Sequence, residues 1–380
     1  MTHPIYLDYN GTTPLDPEVI EAMRPFWETD FGNPSSSHWY GIRPRQAVEA
    51  ARHQVAALLG CLAQEVLFTS GGTESNNHAI LGMARALRDK GRHIVTSTIE
   101  HPAVLEVCRY LENEGFETTR VGVDDQGMVA TAQVEQALRP DTILVTIMHA
   151  NNEVGTVQPI AEIAERVRAR GIAMHTDAAQ SSGKIPVNVS TLGVDLLSMA
   201  GHKLYAPKGI GALYVRKGLG LEKFCHGAGQ EQGRRAGTEN VTGMVGLGKA
   251  CEIGARDLTA NMAHMRNMRD RLHSGITARV ADVKLNGHPE HRLPNTLSLS
   301  FKGIEANRLL EEIGLDLAAS AGAACHSDTV TLSHVLEAMG VPVEWAKGTL
   351  RFSTGRMTTA EEIDRAVEVV AEAVARLRKS

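Results

Sequence analysis

Lys203 lies in the segment SMAGHKLYAPKGIG, directly after His202, at the end of an apolar run and before a turn rich in proline and glycine. A primary amine shielded from water and close to other cations has a lowered pKa and becomes a nucleophile toward carbonyl carbon. Other polar groups also fall just past apolar runs. After EVLFT comes Ser70-Gly71-Gly72-Thr73-Glu74, a glycine turn entering a helical pattern, whose free amides and dipole suit a phosphate. Its spacing is neither GxxxxGK[ST] nor GxGxxG. His101 follows the next run, in TIEHPAV; Asn151, Asn152 and Glu153 follow TILVTIMHA, and Asp177 and Gln180 follow IAMHT. Asp177 suits a helix N-cap or a charge-assisted bond to a protonated ring nitrogen.

Each group alone also fits an ordinary role: a surface salt bridge for Lys203, a tight turn for SGGTE, a satisfied structural histidine for His101. Together they describe something narrower. A phosphate cradle, a carboxylate for a pyridinium, amides for a phenolic oxygen and an amine for an aldehyde are the requirements of pyridoxal 5'-phosphate.

The elements that must position these groups follow from the pattern around them. Between about residues 64 and 215, short β-branched runs alternate with helical stretches such as ESNNHAILGMARALR and PAVLEVCRYLENE. That alternation predicts an α/β fold with a mainly parallel sheet covered on both faces, whose ligands bind beyond the carboxyl ends of the strands. After about residue 255 a long polar helix, a strand-like NTLSLSF and a terminal helix predict a smaller α+β unit. The expected division is a large domain over 13–255 and a small one formed by 1–12 and 256–380.

The 380 residues are 43% hydrophobic, enough for a sizeable core, with a formal net charge of −5 and 4% aromatic residues. This balance gives neither the basic footprint nor the stacking platforms of a nucleic-acid binder. No apolar run approaches the length of a membrane span, and MTHPIYLDYNGTTP does not read as a signal peptide, so a cytoplasmic location is expected. The five cysteines, Cys61, Cys108, Cys225, Cys251 and Cys325, are odd in number and lack CxxC spacing, which argues against a disulfide framework or a Cys-rich metal site. Cys325 follows the small-residue stretch SAGAA, suited to a mobile loop. The other four are expected to be small buried hydrophobes.

On YLDYNGTTP, FGNPSSSH, FTSGGTESNN, EHPAV, NNEVGTVQPI, HTDAAQ, GHKLYAPKGIGALYV, RRAGTEN, SAGAACHS and LRFSTGRMTT, the whole chain resembles the pyridoxal-phosphate cysteine desulfurases of the NifS/IscS type, within the class-V aminotransferase superfamily. The resemblance implies fold type I, with a mainly parallel seven-stranded sheet in the large domain and the cysteine loop in the small one. It implies Lys203 as the Schiff-base lysine and His101 as a group stacked on the cofactor ring and a candidate acid or base. Asp177 would pair with the pyridine nitrogen, and Asn152 and Gln180 would lie near the phenolic oxygen. Gly72, Thr73 and His202 would hold the phosphate, joined by Thr238 from the second chain of a homodimer. Arg351 and Asn33 would hold the substrate carboxylate. Cys325 would take the sulfur of L-cysteine as a persulfide, releasing L-alanine, and pass it to an acceptor such as an iron–sulfur scaffold, a tRNA-thiolation carrier or a rhodanese-like protein.

Two positions depart from the pattern: Ala200 stands where a phosphate-binding serine is usual, and YAPKG replaces YGPKG. DYNGTTPLDPEV, GQEQ and AACHSD are similar to segments of selenocysteine lyases, so L-selenocysteine is the alternative substrate. A class-V aminotransferase or kynureninase-like enzyme would not need Cys325, and a non-catalytic scaffold would not need Lys203, Asp177 and Arg351 together.

Overall fold

The computed structural model describes residues 3–326 and 329–379, with the backbone alone over 323–326 and 329–331. Its centre is a seven-stranded sheet in the order Val66–Thr69, Gly211–Val215, Leu196–Ala200, Ala173–Asp177, Thr142–Thr146, His93–Ser97 and Glu117–Val121. Gly211–Val215 runs antiparallel to both neighbours and the other pairings are parallel. Six of the strands carry only buried residues, because helices cover both faces. They therefore read as continuous apolar or β-branched runs and not as an alternation. The seventh, Glu117–Val121, is an edge strand whose charged and threonine side chains discourage further pairing.

A second, antiparallel sheet has the order Ser320–Ala321, Thr349–Ser353, Thr296–Phe301 and Val283–Asn286. Its core is separate, built from Leu297, Leu299, Phe301 and Phe352 against Leu272 and Ile276 of the helix Leu258–Arg279 and Val370 of the helix Ala360–Leu377. The chain's start belongs with this sheet. Ile5–Tyr6 pairs in parallel with Leu317–Ala318, and Asp8 bridges Ser353, which carries residues 8–11 past the carboxyl edge of the large sheet.

Where the small residues before Cys325 suggest an irregular loop, the backbone of Ala323–His326 pairs antiparallel with Thr329–Leu332, and Cys325 faces Val330 in register. The threonine and valine of TVTL favour a strand. The Cys325 side chain lies outside the described residues.

Candidate active site

The strands Val66–Thr69, His93–Ser97, Thr142–Thr146, Ala173–Asp177 and Leu196–Ala200 end on the same edge of the large sheet, the last four through parallel pairing and Val66–Thr69 through two antiparallel pairings with Gly211–Val215 between. The segments that follow them close around a cavity of about 310 Å³. Gly72, Thr73, His101, Asn152, Asp177, Gln180, His202, Lys203 and Arg351 all line it. Asn33 and Thr238 do not: both are exposed, and Asn33 Oδ1 accepts a hydrogen bond from the Ser35 amide at 2.9 Å.

At one end of the cavity the helix Gly72–Leu87 begins after Gly71, whose φ of 152° is open only to glycine among common residues. Amides in the first turn have no carbonyl four residues back and remain available to an anion. Ala200 and Ala179 form the neighbouring wall. A Cβ on Gly72 would come within 3.2 Å of the Ala200 Cβ, so small side chains keep the approach to the helix open. His202 lies nearby, with Nδ1 3.2 Å from Thr12 Oγ1. Burial, then Lys203, Lys208 and Lys184, push its pKa down to about 4, which leaves a neutral imidazole.

Asp177 ends its strand 5% exposed. Its Oδ2 accepts from Asn76 Nδ2 at 2.7 Å and its Oδ1 from the Ala179 amide at 2.9 Å. Among the described residues it forms no ion pair, and Asn76 Oδ1 is buried without a partner. Buried carboxyl groups with only neutral donors are costly. The pair therefore suits a ligand bearing a positively charged N–H, as a protonated pyridine does.

Lys203 Nζ donates to the carbonyls of Asn10 and, at 2.7 Å, Gly11. Burial lowers its pKa to about 8, helped by Arg351 and opposed by Asp8 and Asp177. His101 caps the helix Pro102–Asn113, its Nδ1 accepting from the Ala103 amide at 3.1 Å. That bond leaves Nε2 and the ring face for a ligand. His101, like Thr73, is an exposed member of the wall, yet desolvation by the surrounding protein lowers its pKa, opposed by Asp177 and reinforced by Lys203 and His334.

Arg351 reaches the cavity from Thr349–Ser353 of the second sheet. Its Nη2 donates to Asp8 Oδ1 at 2.6 Å and Ser320 Oγ at 3.0 Å, and its Nη1 to the Asn152 carbonyl at 3.1 Å. Asp8, Asn10 and Asn76 are site residues that the sequence reading missed. Each lies inside a motif that was noticed, and Asn76 sits three residues after Thr73, on the same helix face.

The cysteines divide by burial. Cys108 is buried with its thiol pushed up to about 12, Cys251 is buried and pushed up further, and half-buried Cys61 is raised to about 12, in each case chiefly by desolvation. Such thiols are inert. Cys225, expected to be buried, is exposed instead: it sits on the irregular stretch after Gly211–Val215, where no helix or strand carries it into a core.

A larger cleft, about 1070 Å³, opens at the amino-end edge of the sheet. Arg139, Arg168 and Arg216 there already hold Asp141, the Gly193 carbonyl and Asp195. The convergent reactive groups are at the other edge.

Residues 5–366 match the family model described as aminotransferase class-V. The chain is 48% identical over 379 residues to cysteine desulfurase IscS of Dictyoglomus turgidum, covering all of this chain and 96% of that protein. It is 49% identical over 383 residues to cysteine desulfurase IscS of Escherichia coli K12/DH10B, covering all of this chain and 94% of that one. Among solved structures, a NifS-like protein superposes with a TM-score of 0.93 at 38% identity, covering 98% of this chain and all of that one. SspA, solved in complex with cysteine, superposes with a TM-score of 0.82 at 36% identity, covering 93% and 99%.

Proposed function

The chain belongs to the class-V aminotransferase family and, within it, to the cysteine desulfurases, and we propose that it converts L-cysteine to L-alanine with Lys203, His101 and Cys325 as its reacting groups. The observation that carries this reading is the single cavity lined by nine of the expected residues, with Asp177 buried and, among the described residues, lacking a cationic partner.

The family depends on pyridoxal 5'-phosphate, which, when bound, withdraws electrons from the substrate Cα. The residues present fit it. Gly72, Thr73 and His202 would hold the phosphate, Asp177 the pyridine nitrogen, Asn152 and Gln180 the phenolic oxygen, His101 the ring face and Lys203 the aldehyde. Ala200 supplies no hydroxyl where the family resemblance implies a serine, which leaves phosphate binding to the remaining donors.

The protein groups then divide the work. Arg351, with Asn33, holds the substrate carboxylate. Lys203, with a pKa of about 8, is partly neutral near neutral pH and takes the proton from Cα. His101 Nε2 holds or returns a proton at the cavity mouth. The Cys325 thiolate attacks the substrate sulfur; an S–S bond forms, the C–S bond breaks, and its electron pair remains on the carbon side, which is protonated to give alanine. L-cysteine and the Cys325 thiol thus become L-alanine and a Cys325 persulfide. Its outer sulfur passes to an acceptor thiol by exchange, with an iron–sulfur scaffold or a thiolation carrier as the expected partner.

A homodimer completes the site in this reading. Thr238 and Asn33 are exposed away from their own cavity, and Trp27, Phe31, Trp39 and Tyr40 are exposed around Asn33 in sequence. We also take 13–255 as the large domain, and 1–12 with 256–380 as the small one. No helix among the described residues is long and apolar enough to cross a membrane, and a cytoplasmic location is proposed.

The test is alanine release from L-cysteine and from L-selenocysteine, with wild type and Cys325→Ala. Turnover of cysteine that the substitution abolishes supports the persulfide route. Turnover of selenocysteine alone would replace this reading with that of a lyase, the alternative favoured by the AACHSD segment.

A further inference from the structure

Lys184 lies behind the cavity wall, 3% exposed, and the reaction as derived gives it no task. Buried lysines are ordinarily matched by a carboxylate. Among the described residues Lys184 has no ion pair; its Nζ donates to Gln180 Oε1 at 2.9 Å and to Asn10 Oδ1 at 3.1 Å. The turn after Ala173–Asp177 brings the two side chains together: the Ser182 amide donates to the Ala178 carbonyl and the Lys184 amide to the Ser181 carbonyl, both at 3.0 Å. Residues 180 and 184, four apart, thereby share a face.

A carboxamide has an accepting end and a donating end, and in both of its bonds here the Lys184 amine is the donor. Lys184 therefore favours the orientation in which both amide oxygens face it. With Gln180 Oε1 turned to Lys184, Nε2 points to the Asn10 carbonyl, 3.0 Å away. With Asn10 Oδ1 shared between Lys184 and Asn295 Nδ2, Asn10 Nδ2 turns to Thr296 Oγ1 at 2.8 Å and to the Asn152 carbonyl at 3.2 Å. The same Asn10 carbonyl that receives Gln180 also receives Lys203 Nζ.

We propose that Lys184 is a positioning residue for the reaction: by donating to both amide oxygens, it sets the donor end of Gln180 and the Asn10 carbonyl that holds the Lys203 amine. This rests on the reading that Lys203 and Gln180 meet the cofactor. The charged groups acting on Lys184 are Lys203 and Arg351, and those acting on Lys203 are Arg351, Asp8 and Asp177. Lys184 therefore faces cations and amides, with burial holding its pKa well below the usual lysine range, and acts through donation and not as half of an ion pair.

The test is a pH titration of the visible absorption of the cofactor-loaded enzyme, in wild type, Lys184→Met, Gln180→Ala and the double variant, with thermal unfolding alongside. Lys184→Met and Gln180→Ala are expected to move the titration midpoint in the same direction by about 0.7 pH unit, one ordinary hydrogen bond expressed as a titration shift. The double variant should move it by less than the sum of the two single shifts, because part of the lysine's effect passes through the Gln180 amide. An unchanged midpoint in Lys184→Met, or shifts that add in the double variant, overturns the proposal. Should Lys184→Met not fold, Lys184→Gln carries the same comparison. A wild type without a borohydride-sensitive visible band overturns the functional reading and this proposal with it, whereas a normal wild-type band with an unmoved variant overturns the proposal alone.

Discussion

Arg351 Nη2 donates to Asp8 Oδ1 at 2.6 Å, so the guanidinium assigned to the substrate carboxylate already holds a carboxylate of the protein. Ser320 and the Asn152 carbonyl occupy two more of its donors. A substrate can be gripped through two parallel bonds only by displacing one of these partners. Asp8→Asn removes the charged competitor, and the KM for L-cysteine should fall about tenfold, the equivalent of about 1.4 kcal/mol. Arg351→Lys should raise KM, since an ammonium cannot make the paired contact. Steady-state kinetics on both variants check this; a KM that rises in Asp8→Asn would make Asp8 a support for Arg351 and not its competitor.

The Lys203 amine gives the cofactor-free protein a definite pH dependence. Its pKa in the fold is about 8, against an ordinary 10.5. Below pH 8 both folded and unfolded chains carry the proton, and the cost of burying the charge is fully present. Between pH 8 and 10.5 the unfolded chain binds more protons than the folded one, so this group's contribution to stability rises with pH. Against Lys203→Met, the melting temperature of cofactor-free wild type should therefore gain as pH is raised from 7 to 10. A difference that does not vary with pH would mean that the amine is solvated in the fold.

Glu100, the residue before His101, is fully buried. Its Oε1 accepts from Ser97 Oγ at 2.6 Å and the Met148 amide at 2.9 Å, while Oε2 has no partner. Burial raises its pKa to about 8 from an ordinary 4.5. The unfolded chain loses this proton first, so wild-type stability is eroded as pH climbs from about 4.5 to 8. Glu100→Gln keeps the accepting oxygen and cannot ionise. It should melt above wild type at pH 7.5, with the gap closing toward pH 5 in a calorimetric series.

Glu231 and Arg52 form a buried pair through two 2.8 Å bonds, and Glu231 Oε2 also accepts the Phe68 amide. The pair pins the segment leading to Thr238, in which Glu231 and Gln232 adopt positive φ of 45° and 59°. Removing one partner of such a pair typically costs about 3–5 kcal/mol. Glu231→Ala should show a loss of that size in denaturant unfolding. Glu21→Ala, which breaks an exposed pair with Arg24, should leave the unfolding midpoint almost unmoved, because solvent screens that pair.

The candidate groups and their placement at strand ends were legible in the sequence alone, because both are local. A strand buried on both faces must be an uninterrupted apolar run, and a helix amino end must follow a turn, so Gly72, His101, Asp177 and Lys203 were legible as a set. Tertiary structure decided what those groups face. Asp8 meets Arg351 across 343 positions, Asn10 meets Lys203 across 193 and Lys184 across 174, and no spacing rule connects residues brought together only when the chain's start crosses between two sheets. Lys184 carries no signal in the sequence, and Cys225 read as a buried thiol, for the same reason. Periodicity reports which face of an element is apolar, whereas the burial of one polar side chain depends on the neighbours that packing places around it.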